Sequence, residues 1–193
     1  MSENSKKFDN SDDFRKASQA LLDYQIRHNL IRKDYELLLE LTELKQEEQD
    51  KFDTLYRASL KGFLSLIESD IYGLNQIDEY EGYSDKDNFE DKFKKTFKRV
   101  CKTWNKEELI KEYLDTKYAK LKALKNKRDR LIHPKRTDDI VNANLDVFNE
   151  LKEGFKDYTK MLHSIMTGFF ISIEIRDLNK FYNLFSDKKT SKK

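Results

Sequence analysis

Cysteine, proline and glycine are scarce in this sequence: 193 residues contain one Cys, one Pro and five Gly. A lone Cys101 cannot close an intramolecular disulfide or build a cysteine-cluster zinc site, and it suits a reducing, cytoplasmic compartment. So few turn formers exclude a many-stranded β protein, because every hairpin needs its own turn chemistry. Long apolar runs are missing too. The best one, Met161 to Ile175, is broken by His163, Ser164, Thr167 and Glu174. It falls short of the roughly 20 apolar residues that a membrane span needs. The opening residues, MSENSKKFDNSDD, lack the apolar stretch of a signal peptide. There is no Gly-rich phosphate loop, serine nucleophile elbow, His-x3-His pair or repeated acidic ligand set, so no metal or cofactor is expected.

What is present points to helices. Charged residues make up 38% and hydrophobic residues 37%, and 13 Phe with 10 Tyr supply enough bulk for a modest core. From Phe14 to Lys61 there is neither Gly nor Pro. Leu21, Tyr24, His28, Ile31, Tyr35 and Leu38 alternate three and four apart, which places them on one helical stripe. The stripe fades through KQEEQDK at 45–51, which divides a leading helix (about 12–46) from a second (about 49–77). The second carries Leu60, Phe63, Leu64, Ile67, Ile71 and Leu74 on one face. After the loop GYSDKDN at 82–88, a third helix sets Phe89, Phe93, Phe97, Val100, Cys101 and Trp104 against a row of lysines. A fourth starts near Lys106 and carries Ile110, Tyr113, Leu114, Leu121, Leu124 and Leu131. Pro134 stops it. A last helix, from about 142 to 184, contains Leu145, Phe148, Leu151, Phe155, Tyr158 and Leu162. The expected fold class is all-α.

The net charge of +2 hides a local imbalance. Lys120 to Arg136 holds eight basic residues against one acid, and Asp91 to Lys106 holds seven against one. Clustered cations of this kind suit a polyanion, or else form solvated helix faces. Within the first cluster one residue breaks the helical pattern. Leu121, Leu124, Arg128 and Leu131 share a narrow stripe, so Arg128 falls on the inward face, where a guanidinium must meet an anion. His133 follows five residues later, about 140° away on a continuous helix. Pro134 forces the chain out of the helix at that point, so the imidazole can turn back toward the Arg128 side. A phosphate-gripping arginine and a histidine that titrates near neutrality suffice for phosphodiester chemistry.

The stretch R-D-R-L-I-H at 128–133 resembles the Arg-x4-6-His signature of the HEPN superfamily, in which a polar residue, here Asp129, often follows the arginine. The resemblance implies a HEPN-like four-helix bundle over 47–185. An N-terminal helical extension would span 12–46, with a polar tail at 1–11 and a basic tail at 186–193. It also implies a metal-independent endoribonuclease of a toxin–antitoxin or phage-defence system, acting as a homodimer with both motifs in one cleft. A cytoplasmic antitoxin or other defence partner is a further implication. In that reading Arg128 would stabilise the scissile phosphate and His133 would act as general acid or base. Asp129 would support them, and Lys127, Arg130, Lys135 and Arg136 would bind RNA. One departure stands out: Lys135 occupies the place where a subgroup paired with a nucleotidyltransferase antitoxin has tyrosine, so regulation through such a tyrosine is not implied.

Plainer readings stand beside these. Arg128 could pair structurally with Glu68 or Asp70, which flank the apolar face of the second helix. His133 could cap the last carbonyls of its helix. His28 and His163 read as packing or core histidines, Trp104 and the Phe row as core, and Cys101 as inert. Alternatives at the level of function are a non-catalytic RNA- or nucleotide-binding protein and a helical adaptor for another protein. The Leu21-to-Leu38 stripe has no obvious partner in the sequence; it could supply dimer contacts, and the sequence leaves open whether the helix packs on its own bundle or on a partner's.

Overall fold

The computed structural model describes residues 11–186 apart from 79, 81 and 141, with side chains over 12–167 apart from 14, 78, 79, 81, 138 and 141. Six helices follow in order: α1 (Ser11–Leu44), α2 (Gln49–Asp78), α3 (Phe89–Thr103), α4 (Glu107–Thr116), α5 (Tyr118–Ile132) and α6 (Leu145–Ser186). A short 3-10 turn spans Thr137–Asp139, and the described residues include no strand. The chain is all-α, as its composition requires. Apart from Ser11 and Ser186, which are helical, the expected tails at 1–11 and 186–193 lie outside the described residues. No described helix is long and apolar enough to cross a membrane.

Helix α2 is the axis of the core. Tyr56, Leu60, Phe63, Leu64, Ile67, Ile71 and Leu74 are all buried, so its 3.6-residue periodicity translates directly into packing. Cutting a leucine of this kind back to alanine costs about 3 kcal/mol through lost burial and the cavity left behind. Helix α1 lies along α2 and buries Leu21, Tyr24 and Tyr35. The stripe that lacked a partner in the sequence therefore finds one in the same chain, not in a second copy. Close approach depends on Gly73, where an added Cβ would sit 2.4 Å from the Tyr24 ring. Near the far end, Thr42 Oγ1 and Ser59 Oγ lie 2.9 Å apart and satisfy each other in the core. Residues 12–46 share one core with the helices that follow.

The opposite face of α1 is also apolar. Leu22, Ile26, Leu30, Leu37, Leu41 and Leu44 are between 43% and 77% exposed, and at 100° per residue they fall within about a quarter-turn or slightly more.

The single fourth helix read from the sequence is two. Helix α4 ends at Thr116 and α5 begins at Tyr118, with Lys117 at φ −119° and ψ −26° between them. Tyr113 and Tyr118 explain the break. Five residues apart, they would point about 140° from each other on one continuous helix. The interruption lets both be buried, with ring centroids 6.0 and 5.3 Å from Phe93. The preceding corner is made by Asn105 at φ 54°. Its N–H donates to Lys102 O and the Lys106 N–H donates back to Cys101 O, which closes α3 in a Schellman-type cap.

A buried polar cluster joins α2 to α3. The Asn75 amide donates to Ile71 O and Thr96 Oγ1 and accepts from Arg99 Nη2 at 2.8 Å. The Arg99 guanidinium also lies 4.3 Å over the Tyr80 ring. Arg99 is thus a structural cation, although its sequence neighbours are surface lysines.

Candidate functional site

Helix α5 carries Arg128 on its last turn but one and stops at His133, the residue before Pro134. His133 leaves helical geometry at φ −126°, ψ 61°, while its N–H still donates to Asp129 O at 3.0 Å. The capping role foreseen for His133 is thus met by its backbone. Its side chain is exposed and makes no hydrogen bond or ion pair with a described residue. The next loop is pinned by Asp139, whose Oδ2 accepts from the N–H groups of Lys135 (2.8 Å) and Arg136 (2.9 Å). Those two backbone bonds, with Arg136 and Arg130 nearby, hold the Asp139 carboxyl below its ordinary range. A loop folded against one carboxylate leaves Lys135 and Arg136 exposed beside His133.

Arg128 is at the rim of the core, not at its centre. Leu121 and Leu124 are fully buried, whereas the Arg128 side chain retains 16% of its exposure. Its Nη2 donates to Glu68 Oε1 on α2 at 2.6 Å, and its Nε lies 3.3 Å from Asp129 Oδ1. Of the two acids considered from sequence, Glu68 is the partner. Asp129 in turn ion-pairs with Lys125 at 2.7 Å. Glu68, 48% exposed, takes the hydrogen bond, while the buried Nε has Asp129 as a charge contact only and makes no hydrogen bond with a described residue.

The basic row is largely answered from within the chain. Lys120 pairs with Glu153, Lys122 with Glu90, and Lys127 with Glu150 on α6. Lys127, expected at an RNA surface, is mostly covered by that contact. Arg130, Lys135 and Arg136 close no ion pair with a described residue and are exposed. The cationic surface therefore narrows to the C-terminal end of α5 and the loop that follows, around His133.

Sequence reasoning overlooked a second cluster. Asp70 of α2 is fully buried; its Oδ1 accepts from His28 Nδ1 at 2.7 Å and its Oδ2 from Tyr158 Oη at 2.7 Å. Burial, with Asp70 alongside, drives both the Tyr158 and Tyr24 phenols well above their ordinary value. His28 is thus an oriented histidine, not only a packing residue. His163 is exposed, not in the core, because Leu162 takes the inward position next to it. The available signal was Asp70 itself, an acid three residues after Ile67 and four before Leu74 on the buried stripe. Among the described residues no group of three or more His, Cys, Asp or Glu side chains could hold a metal ion. No protein-family model matches the chain, and no curated protein or solved structure matches it.

Proposed function

We propose that the protein is a metal-independent endoribonuclease of the HEPN type. One observation carries the reading: α5 delivers Arg128 and ends at an exposed, uncommitted His133, where the basic row loses its acidic partners. Exposed Arg130, Lys135 and Arg136 at that end suit the phosphates of a single RNA strand. In the reaction a base takes the proton of a ribose 2′-hydroxyl, the 2′-oxygen attacks the adjacent phosphorus, and the bond to the 5′-oxygen breaks as a general acid protonates that oxygen. A 2′,3′-cyclic phosphate and a 5′-hydroxyl result. His133 is the general acid or base, and Arg128 stabilises charge on the phosphoryl oxygens. Asp129 holds the guanidinium from the side. For Arg128 to meet a phosphate, Glu68 must yield, and its exposure allows that.

Such a chain supplies one arginine and one histidine, and pairing about a two-fold axis doubles the set. The exposed apolar face of α1 supports a homodimer. Up to Lys33, α1 carries Arg15, Lys16, Arg27, Arg32 and Lys33 against Asp12, Asp13 and Asp23, whereas from Asp34 to Leu44 its charges are all acidic (Asp34, Glu36, Glu40 and Glu43), a partial gradient that antiparallel pairing of two α1 helices would complement. A cytoplasmic role in a toxin–antitoxin or phage-defence system belongs to the same proposal.

The Arg128–Glu68 bond favours a second reading, in which the arginine is structural and the basic end of α5 binds RNA without cutting it. Incubating RNA with the wild type and with His133→Ala in EDTA separates the two. Cleavage that only the wild type performs supports the nuclease; salt-sensitive binding without cleavage supports the binder.

A further inference from the structure

One cavity adjoins the α5 motif. It measures about 410 Å³ and is walled by the rings of Tyr72 on α2, Tyr83 in the loop that follows α2 and Phe89 at the start of α3. Glu68, whose Oε1 holds Arg128, lines it too, so a group bound there lies one side chain from the arginine. We propose that this cavity receives the base beside the scissile phosphate and selects guanine. The inference rests on the nuclease reading and adds a sequence preference to it.

Charge decides which part of an RNA strand enters. Glu68, Asp85 and Asp87 line the cavity against one cation, Lys92, so a phosphate is repelled while an uncharged base is not. Aromatic rings are the surfaces on which unstacked bases of single-stranded RNA settle. Tyr72 is 42% exposed and offers such a surface. The Arg27 guanidinium of α1, 5.4 Å from its ring centroid, brings a cation beside it.

The acids choose among the bases. Tyr83 Oη donates to Asp85 Oδ1 at 2.8 Å, and Lys95 Nζ donates to Asp87 Oδ2 at 2.7 Å. Both carboxylates are thereby oriented, and Asp85 Oδ2 and Asp87 Oδ1 make no hydrogen bond with a described residue. Asp87 is the better enclosed, at 28% exposed. An ionised carboxylate only accepts. Guanine alone presents two neighbouring donors on its pairing edge, N1–H and the N2 amine. On adenine, cytosine and uracil every donor of that edge has an acceptor next to it, which a carboxylate repels. Lys92 Nζ, held by the Asp85 carbonyl at 2.7 Å, has further hydrogens to offer guanine O6.

Fluorescence anisotropy with four labelled RNA pentamers, UUGUU, UUAUU, UUCUU and UUUUU, tests the subsite. All carry 2′-O-methyl groups, so the full chain binds but cannot cut them. UUGUU is expected to bind at least about fivefold more tightly than the other three. The double variant Asp85→Asn with Asp87→Asn should bring that ratio to about one while leaving the helical circular dichroism unchanged. Equal binding of the four pentamers by the wild type, or a guanine preference that survives the double variant, overturns the proposal. Because binding is read without cleavage, the two readings fail separately: a guanine preference in a protein that cuts no RNA sinks the nuclease alone, and cleavage without preference sinks the subsite alone.

Discussion

Arg128 Nη2 donates to Glu68 Oε1 across 2.6 Å, joining the last turns of α5 to the rim of α2. The bond holds the guanidinium in place and also occupies it. If Arg128 serves a phosphate, Glu68 is a competitor for the same donors. Glu68→Gln should therefore tighten RNA binding by about threefold at low salt, with the gain fading as salt rises. Stability should fall by about 1 kcal/mol or less, as for other partly exposed pairs. Fluorescence anisotropy with a short labelled RNA reads the affinity. Weaker binding by Glu68→Gln would mean that the pair supports the surface and does not compete with it.

Tyr24 rests on Gly73, with 2.4 Å between its ring and the position of a Cβ. The ring is buried and must shift to admit a methyl group. Gly73→Ala should cost about 1–3 kcal/mol, although alanine is the better helix former. Thermal melts give the value directly. An unchanged or higher Tm would show that α1 is not seated on α2 as described.

How far the sequence disclosed this arrangement differs from helix to helix. The α2 stripe from Leu60 to Leu74 was legible because one face takes the whole core and periodicity is a local property. The break at Lys117 was not, since no Gly or Pro marks it; only the five-residue interval from Tyr113 to Tyr118 hints that two faces must both turn inward. The Asp70–His28 pair spans 42 residues of sequence, and local periodicity does not register contacts at that range. Arg128 was legible as an arginine in need of an anion, yet its true depth depends on how far α5 slides past α2. The lysine row looked like a binding surface until Glu90, Glu150 and Glu153 were brought beside it from other segments.

Six tyrosines, at 24, 35, 56, 113, 118 and 158, are buried, and burial raises each phenol above its ordinary value, Tyr56 to about 12. In the unfolded chain they ionise near pH 10. A group whose folded value is the higher one contributes stability in full below the unfolded value and loses it as pH rises. Stability should thus hold up to about pH 10 and fall steeply above it. Absorbance at 295 nm should show these phenols ionising together with the loss of helix. Ionisation of all ten tyrosines near pH 10 with helix intact would contradict the packing. Cys101 gives a parallel check: burial pushes its thiol up to about 12, so a disulfide reagent at pH 8 should label it only on unfolding.

Leu22, Ile26, Leu30, Leu37, Leu41 and Leu44 leave an apolar face on α1 larger than isolated exposed residues would make. Ile26→Lys combined with Leu37→Lys should convert a dimer to a monomer while shifting the chain's own helical content little. Sedimentation equilibrium decides. A monomeric wild type would remove the two-fold pairing from the proposal.

The central claim is that Arg128 and His133 act on a phosphodiester. Its most direct measurement is cleavage of a defined RNA in EDTA by wild type, Arg128→Ala and His133→Ala, with the product ends identified. The expected result is cyclic-phosphate and 5′-hydroxyl ends from the wild type alone, with rates in both variants lower by at least about 100-fold. Cleavage that survives both substitutions, or no cleavage of any RNA by the folded wild type, would contradict it.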